Sequence, residues 1–123
     1  MSENTVRGKR VFISGPMSGI ELNNVGEFFR MEARLKKMLG AKEVYNPARE
    51  WLDSNDERSY EECMRECLSN LVGRTYPSYK CIDVMVSLSG YNHSDGATFE
   101  RKAARMCGIP ILDQSQVEAM DVD

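Results

Sequence analysis

Residues 83–100 read DVMVSLSGYNHSDGATFE, and they predict a strand, a loop and the start of a helix, in that order. The short apolar run Ile82–Leu88 is rich in β-branched residues, which is typical of a parallel strand buried on both faces. A polar loop with a glycine follows, and Ser94 or Asp95 then offers an N-cap for a helix that ends at Gly108. In an open parallel sheet, such a loop lies at the carboxyl end of its strand, where these folds bind ligands.

Glu100 is the candidate reactive group of this stretch. We expect it in the first turn of the helix, where the macrodipole favours a negative charge. Its carboxylate should therefore be ionised at neutral pH and able to act as a nucleophile or a base. The alternative is that Glu100 is only a helix-start carboxylate, because acidic residues are common in first helical turns.

The rest of the chain repeats the alternation of strands and helices. Short apolar runs predict strands at Lys9–Ser14, Lys42–Tyr45 and Ile109–Leu112. Apolar residues at three- and four-residue spacing predict two helices. One runs from Asn23 or Asn24 to Gly40, and the other begins at the capping box Ser59-Tyr60-Glu61-Glu62. The buried face of the latter helix is predicted to contain Tyr60, Cys63, Met64, Cys67, Leu68 and Leu71. The sequence also predicts a polar excursion around Trp51 at Arg49–Arg58 and a long connection at residues 73–80. The acidic tail is expected to form a short helix or nothing ordered.

This alternation predicts a single α/β domain with a three-layer, doubly wound parallel sheet of the flavodoxin-like or Rossmann-like kind, in strand order 2-1-3-4. That order places the first and third strands side by side, so the loops Gly15–Gly19 and Ser89–Gly96 should face each other across one crevice. The domain is expected to span residues 1–123, with its core at about 9–112 and the acidic tail at 113–123.

Composition narrows the classes of partner. Lys and Arg number 16 against 19 Asp and Glu, and this net charge of -3, without a basic block, argues against a nucleic-acid polymer. The four cysteines form no Cys-x-x-Cys pair and the chain has one histidine, so we expect no metal site. No signal-peptide core or membrane span is recognisable, which favours a cytoplasmic protein without a membrane partner.

The two facing loops supply the candidate substrate-binding residues. Their backbone N–H groups and hydroxyls suit the oxygens of a sugar or a phosphate. These candidates are Ser14, Gly15, Pro16, Met17, Ser18 and Gly19 from the first loop, and Ser89, Gly90, Tyr91, Ser94 and Gly96 from the second. Tyr91 and His93 either line a pocket for a base or are simply exposed in the loop.

Three motifs resemble those of one known family. They are Ser-Gly-Pro-Met-Ser-Gly after the first strand, Val-Tyr-Asn-Pro at the second, and Ser-Asp-Gly-Ala-Thr-Phe-Glu followed by Ala-Ala-Arg-Met-Cys-Gly-Ile-Pro-Ile. Over about residues 9 to 112 the chain resembles the nucleoside 2-deoxyribosyltransferase-like family, most closely a small branch found in phages and bacteria. The resemblance implies N-glycosidic bond cleavage or deoxyribosyl transfer on a nucleoside or nucleoside 5′-monophosphate.

The resemblance also implies roles for particular residues. Glu100 matches the family's nucleophile, which attacks the anomeric carbon and releases the nucleobase without a cofactor. Water as the acceptor makes such an enzyme a hydrolase, and a second base makes it a transferase. Proteins of this family are commonly dimers or larger, so we expect a homodimer at least.

The chain departs from the family at the acid that assists the leaving base. Matching the apolar helix positions places Cys67 where the family often has an aspartate, with Glu66 one position away. Glu66 lies off the apolar stripe and is better explained as a solvated charge. Asp95 is the preferred substitute as a second catalytic residue, although N-capping is its plainer role. The alternative function is a nucleotide-binding sensor or interaction module that keeps the fold without turnover.

Overall fold

Four parallel strands form the centre of the computed structural model, which describes residues 3–17, 24–53, 59–73 and 81–122. The strands are β1 (Arg10–Ser14), β2 (Glu43–Tyr45), β3 (Val84–Ser87) and β4 (Ile111–Asp113). Their order in the sheet is β2-β1-β3-β4, and every neighbouring pair is parallel. The predicted α/β fold, with a doubly wound parallel sheet in strand order 2-1-3-4, is therefore confirmed.

Helices cover both faces of this sheet. They are α1 (Val25–Ala33), which continues as a π-helical turn at Arg34–Met38, α2 (Pro47–Asp53), α3 (Tyr60–Val72), α4 (Asp95–Met106) and α5 (Gln114–Glu118), with a 3₁₀ turn at Tyr91–His93. Ser59 begins α3 as its sequence predicts, because its hydroxyl accepts a hydrogen bond from the Glu62 backbone N–H at 3.1 Å. The acidic tail forms α5, which starts with a capping box between Asp113 and Gln116.

Alternating strand residues build two apolar cores, one on each face of the sheet. Val11 and Ile13 of β1 pack in the larger core with Phe28 and Leu35 from the first helical segment. Phe12 faces the other way, into a smaller core. The other buried members of the smaller core are Leu71 of α3, Met85 of β3 and Ala104 of α4. Since side chains alternate along a strand, Ser14 at the end of β1 faces the α3 and α4 side.

Two local expectations are wrong. The segment after β2 is a helix rather than a polar excursion, because Asn46 caps it by accepting from the Ala48 backbone N–H at 2.9 Å and Pro47 starts it. Residues 54–58 of the predicted excursion lie outside the described ranges. The face of α3 is less buried than expected, with Leu71 its only buried residue and Tyr60 53 % exposed. Tyr60 is the first residue of α3.

Candidate active site

Glu100 lies buried at the carboxyl edge of the sheet, on the second turn of α4. That helix begins one residue after Ser94, whose hydroxyl accepts from the Ala97 backbone N–H at 3.2 Å. Ser94 and not Asp95 is therefore the N-cap, and Glu100 lies beyond the first turn in which the sequence places it. Because the effect of the macrodipole falls off within one turn, the surroundings of Glu100 determine its charge. Its side chain is turned inward, and the residue is 5 % exposed.

Ser14 holds the Glu100 carboxyl group against the sheet. Its hydroxyl donates to Glu100 Oε1 at 2.7 Å, and the two residues are 86 positions apart in sequence. Ser14 is the last residue of β1 and pairs in register with Ser87, the last residue of β3. The Ser87 hydroxyl is also buried, and it has no hydrogen-bond partner among the described residues. Two serine hydroxyls thus end adjacent strands on the side of the sheet that Glu100 approaches.

Cys67 and Tyr45 extend this polar group toward the edge strand. The thiol of Cys67 on α3 lies beside the Glu100 carboxyl group, and the Tyr45 side chain lies beside Cys67. The Tyr45 ring stacks on Phe12, with ring centroids 5.1 Å apart. Burial, followed by the charge of Glu100, raises the pKa of Cys67 to about 12, so this thiol keeps its proton at physiological pH. The four side chains Tyr45, Cys67, Glu100 and Ser14 lie together in one polar cluster, in which Ser14 and Glu100 are buried and Tyr45 and Cys67 are half-buried.

Burial controls the ionisation of Glu100. It raises the pKa of Glu100 to about 7, while the hydrogen bond from Ser14 and the contact with Cys67 act in the opposite direction. Burial therefore opposes the expected full ionisation of this carboxyl group at neutral pH. A buried carboxyl group with a strongly raised pKa at a ligand-binding edge is a candidate reactive group.

The described parts of the two predicted loops, Gly15–Gly19 and Ser89–Gly96, lie close together. A methyl group added to Gly15 would lie 2.8 Å from Cβ of Leu88, so the loop after β1 touches the end of β3. Gly90 has a left-handed φ of 88°. A Cβ added to Gly90 would lie 3.5 Å from the Pro16 ring. Met17 packs against the larger core instead. Ser18 and Gly19 lie outside the described residues.

The second loop uses several of its polar groups internally. The Arg101 guanidinium covers the Tyr91 ring, 3.8 Å from its centroid, and also pairs with Asp113 at 3.0 Å. One face of the Tyr91 ring is thus occupied by a cation and is not available for stacking with a base. Ser89 donates its backbone N–H to the Gln114 side chain at 2.9 Å. His93 is exposed in the 3₁₀ turn.

Asp95 and Gly96 occupy different surroundings from Glu100. Asp95 is exposed at the start of α4, and five helical residues place it about 140° from Glu100 around the axis. Its role as a proton donor stays a prediction. Gly96 lies against α3, since a Cβ there would be 3.1 Å from the Met64 sulfur and 3.2 Å from the Tyr60 hydroxyl oxygen. Its small size therefore permits the close approach of two helices.

Sequence reasoning missed Tyr45, Asn46 and Ser87 as site residues. Asn46 follows β2 and is 4 % exposed, and its Nδ2 has no hydrogen-bond partner among the described residues. Each of the three lies at the carboxyl end of a strand, as Ser14 does. The sequence did contain a signal for these residues. The strands were predicted to be parallel, and parallel strands end at the same edge of a sheet, so the residues at their carboxyl ends should lie near one another.

The fold and this cluster define a class: a doubly wound α/β domain with a buried carboxyl group where the strand order reverses. A family described as "Domain of unknown function (DUF4406)" matches residues 9–113, and the chain belongs to that family. No curated protein and no solved structure matches the chain. In the described ranges, no group of three His, Cys, Asp or Glu residues is placed to hold a metal ion, and no helix is long and apolar enough to cross a membrane.

Proposed function

We propose that this protein cleaves the N-glycosidic bond of a nucleoside or a nucleoside 5′-monophosphate, with Glu100 as the nucleophile. The observation that carries the proposal is the buried Glu100 carboxyl group, held by Ser14 at 2.7 Å between the loops that follow β1 and β3. Glu100 forms no ion pair with any residue that the structure describes, so no cation there neutralises the carboxylate. The family resemblance of the motifs points to the same residue.

The chemistry requires a carboxylate at this position. When the bond between the anomeric carbon and the base nitrogen breaks, its electron pair leaves with the base and positive charge develops on the sugar. Glu100 forms a bond to the anomeric carbon as that charge develops, and water or a second base then displaces the carboxylate. Because the interior has a low effective dielectric, the attraction between Glu100 and the developing charge is stronger there than in water.

The departing base also needs a proton, and the structure limits its source. The Cys67 thiol contacts Glu100, but with a pKa of about 12 it is a weak acid. Asp95 is exposed on another face of α4 and remains the proposed donor, directly or through water. The second candidate function, a nucleotide-binding module without turnover, is favoured by the thiol at position 67, where a stronger acid would assist the leaving group.

The test is release of free base, measured by chromatography, from deoxynucleosides, ribonucleosides and their 5′-monophosphates, with and without a second base as acceptor. Glu100→Gln keeps the shape of the side chain and removes its charge, so turnover should fall by several orders of magnitude while substrate binding persists. Glu3→Gln removes an exposed carboxylate and should leave turnover unchanged. Dependence on the acceptor base assigns transferase or hydrolase activity.

The pH profile gives a second test of the nucleophile. Because Glu100 must lose its proton before it attacks, kcat/KM should rise with pH through about 7. Release of base that survives in Glu100→Gln would exclude Glu100 as the nucleophile. Calorimetric binding of a nucleotide without release of base from any compound would replace the enzyme with the binding module.

A further inference from the structure

We propose that Arg101 is a positioning residue of the candidate active site. Its guanidinium ties the loop after β3 (residues 88–94) to Asp113 at the end of β4, so that this loop keeps one place at the carboxyl edge of the sheet. The effect on turnover rests on the proposed function, whereas the effect on the order of the loop does not.

Arg101 differs from the other basic residues because it is buried. Among the described residues it is the only Lys or Arg in that class, at 9 % exposed. A buried charge needs a partner, and Arg101 has two. Its Nη1 donates to Asp113 Oδ1 at 3.0 Å, and its Cζ lies 3.8 Å from the centroid of the Tyr91 ring. The guanidinium therefore lies between the loop and the end of β4 and contacts both.

The backbone of the loop has its own anchors on either side of that ring. Ser89 donates its N–H to Gln114 Oε1 at 2.9 Å. The Tyr91 carbonyl accepts from the Ser94 N–H at 3.0 Å and from the Thr98 hydroxyl at 3.1 Å. These bonds hold the two ends of the loop, and the Tyr91 ring is the side-chain contact between them.

The short helix α5, to which the loop is tied, is itself fixed. Val117 of α5 is fully buried in the larger core. Arg34 donates from Nε to the Val117 carbonyl at 3.2 Å and from Nη2 to the Glu118 carbonyl at 3.0 Å. The helix begins at the capping box of Asp113. The acidic tail thus gives Asp113 and Gln114 fixed positions from which they hold the loop.

Both contacts of Arg101 depend on the shape of its side chain. A guanidinium is planar, so one face can stack on an aromatic ring while an N–H at its edge donates to a carboxylate. The ammonium group of Lys would keep the charge but could not hold both partners in this way. Substitution of Arg101 leaves no unpaired charge in the interior, because the Asp113 side chain is 53 % exposed.

A fixed loop lowers the cost of binding a substrate. The loop after β3 contains candidate substrate-binding residues and leads directly into α4, the helix that carries Glu100. If a segment must become ordered when a ligand arrives, that ordering reduces the affinity. The hydrogen bond from Ser14 to Glu100 joins β1 to α4 without Arg101. Loss of Arg101 should therefore weaken substrate binding more than it slows the chemical step.

The experiment compares amide hydrogen exchange, measured by NMR, in full-length wild type, Arg101→Gln, Arg101→Lys and Arg105→Gln. In Arg101→Gln the amides of Ser89 and Ser94 should exchange about tenfold faster, because the ion pair and the contact with the ring are both lost. Arg101→Lys should recover only part of that protection. Arg105→Gln removes an exposed arginine one turn further along α4, and this matched control should leave both amides unchanged. The amides of β1 should exchange at the wild-type rate in all three variants.

A steady-state assay of base release gives the second readout. For Arg101→Gln, KM should rise about tenfold while kcat stays within about threefold of wild type. Arg105→Gln should match wild type in both. Tyr91→Leu removes the other side of the contact, so the double variant Tyr91→Leu/Arg101→Gln should show loop exchange no faster than Arg101→Gln alone.

Three results would overturn the inference. They are loop amides in Arg101→Gln that exchange as in Arg105→Gln, an equal acceleration in β1, which would mean a general loss of stability, and a KM that stays at the wild-type value in a protein that releases base. If Arg101→Gln does not fold, Tyr91→Leu against wild type decides the question by the same two amides. Faster loop exchange in a protein that releases no base from any compound would support the inference and refute the proposed glycosidase. Release of base with unchanged loop exchange would do the reverse.

Discussion

Replacing Glu100 with Gln should make the folded protein more stable at alkaline pH. Burial raises the pKa of Glu100 from the ordinary 4.5 to about 7, which means that the folded state binds this proton more tightly than the unfolded chain does. At about 1.4 kcal/mol per pKa unit, ionising Glu100 in the folded state costs about 3 kcal/mol. Gln occupies nearly the same volume and can still accept the hydrogen bond from Ser14, but it has no charge to bury.

The pH dependence has a definite sign. Below pH 4.5 the carboxyl group is protonated in both folded and unfolded chains, and this favourable contribution is fully present. It is lost as the pH rises from 4.5 through about 7, because the unfolded chain releases the proton first. Wild type should therefore lose about 3 kcal/mol of unfolding free energy from this group by about pH 8.

The assay is urea denaturation of wild type, Glu100→Gln and the control Glu3→Gln at about pH 5 and pH 8. The variant Glu100→Gln should be within about 1 kcal/mol of wild type at the lower pH and more stable by about 2 to 3 kcal/mol at the higher one. Glu3 is exposed, so its variant should follow wild type at both. Parallel stabilities of wild type and Glu100→Gln across this range would refute the argument that Glu100 is buried without a compensating charge.

Gly15→Ala should destabilise the fold by about 1–3 kcal/mol, because its new methyl group would lie 2.8 Å from Cβ of Leu88. Denaturation midpoints equal to wild type would mean that the two loops can separate at little cost. Ser59→Ala removes the hydroxyl that accepts the Glu62 backbone N–H at the start of α3, so the free energy of unfolding should fall by about 1 kcal/mol. Thermal unfolding measures that loss. The expected homodimer predicts a light-scattering mass of about twice 14.0 kDa at micromolar protein, and a monomer mass would contradict it.

Local sequence signals were enough to predict the four strands of this protein and most of its helices. The apolar runs of β1 and β3, the capping box at Ser59 and the glycine after α4 each act over a few neighbouring residues. Parallel connection rules then left few topologies, and strand order 2-1-3-4 followed. The helix α2 was missed even though its signal is local, because the pair Asn46-Pro47 was interpreted as the end of a strand and not also as the start of a helix.

The state of the site depended on tertiary structure. The sequence identified Glu100 as the candidate nucleophile, but it placed the residue in a first helical turn with an ionised carboxylate. Its raised pKa comes from burial by strands and helices distant in sequence, and its contacts with Ser14 and Cys67 come from β1 and α3. Desolvation sums over all atoms around a group, and those atoms come together only when the chain packs. The residues that neighbour Glu100 in sequence therefore could not predict its desolvation or its raised pKa.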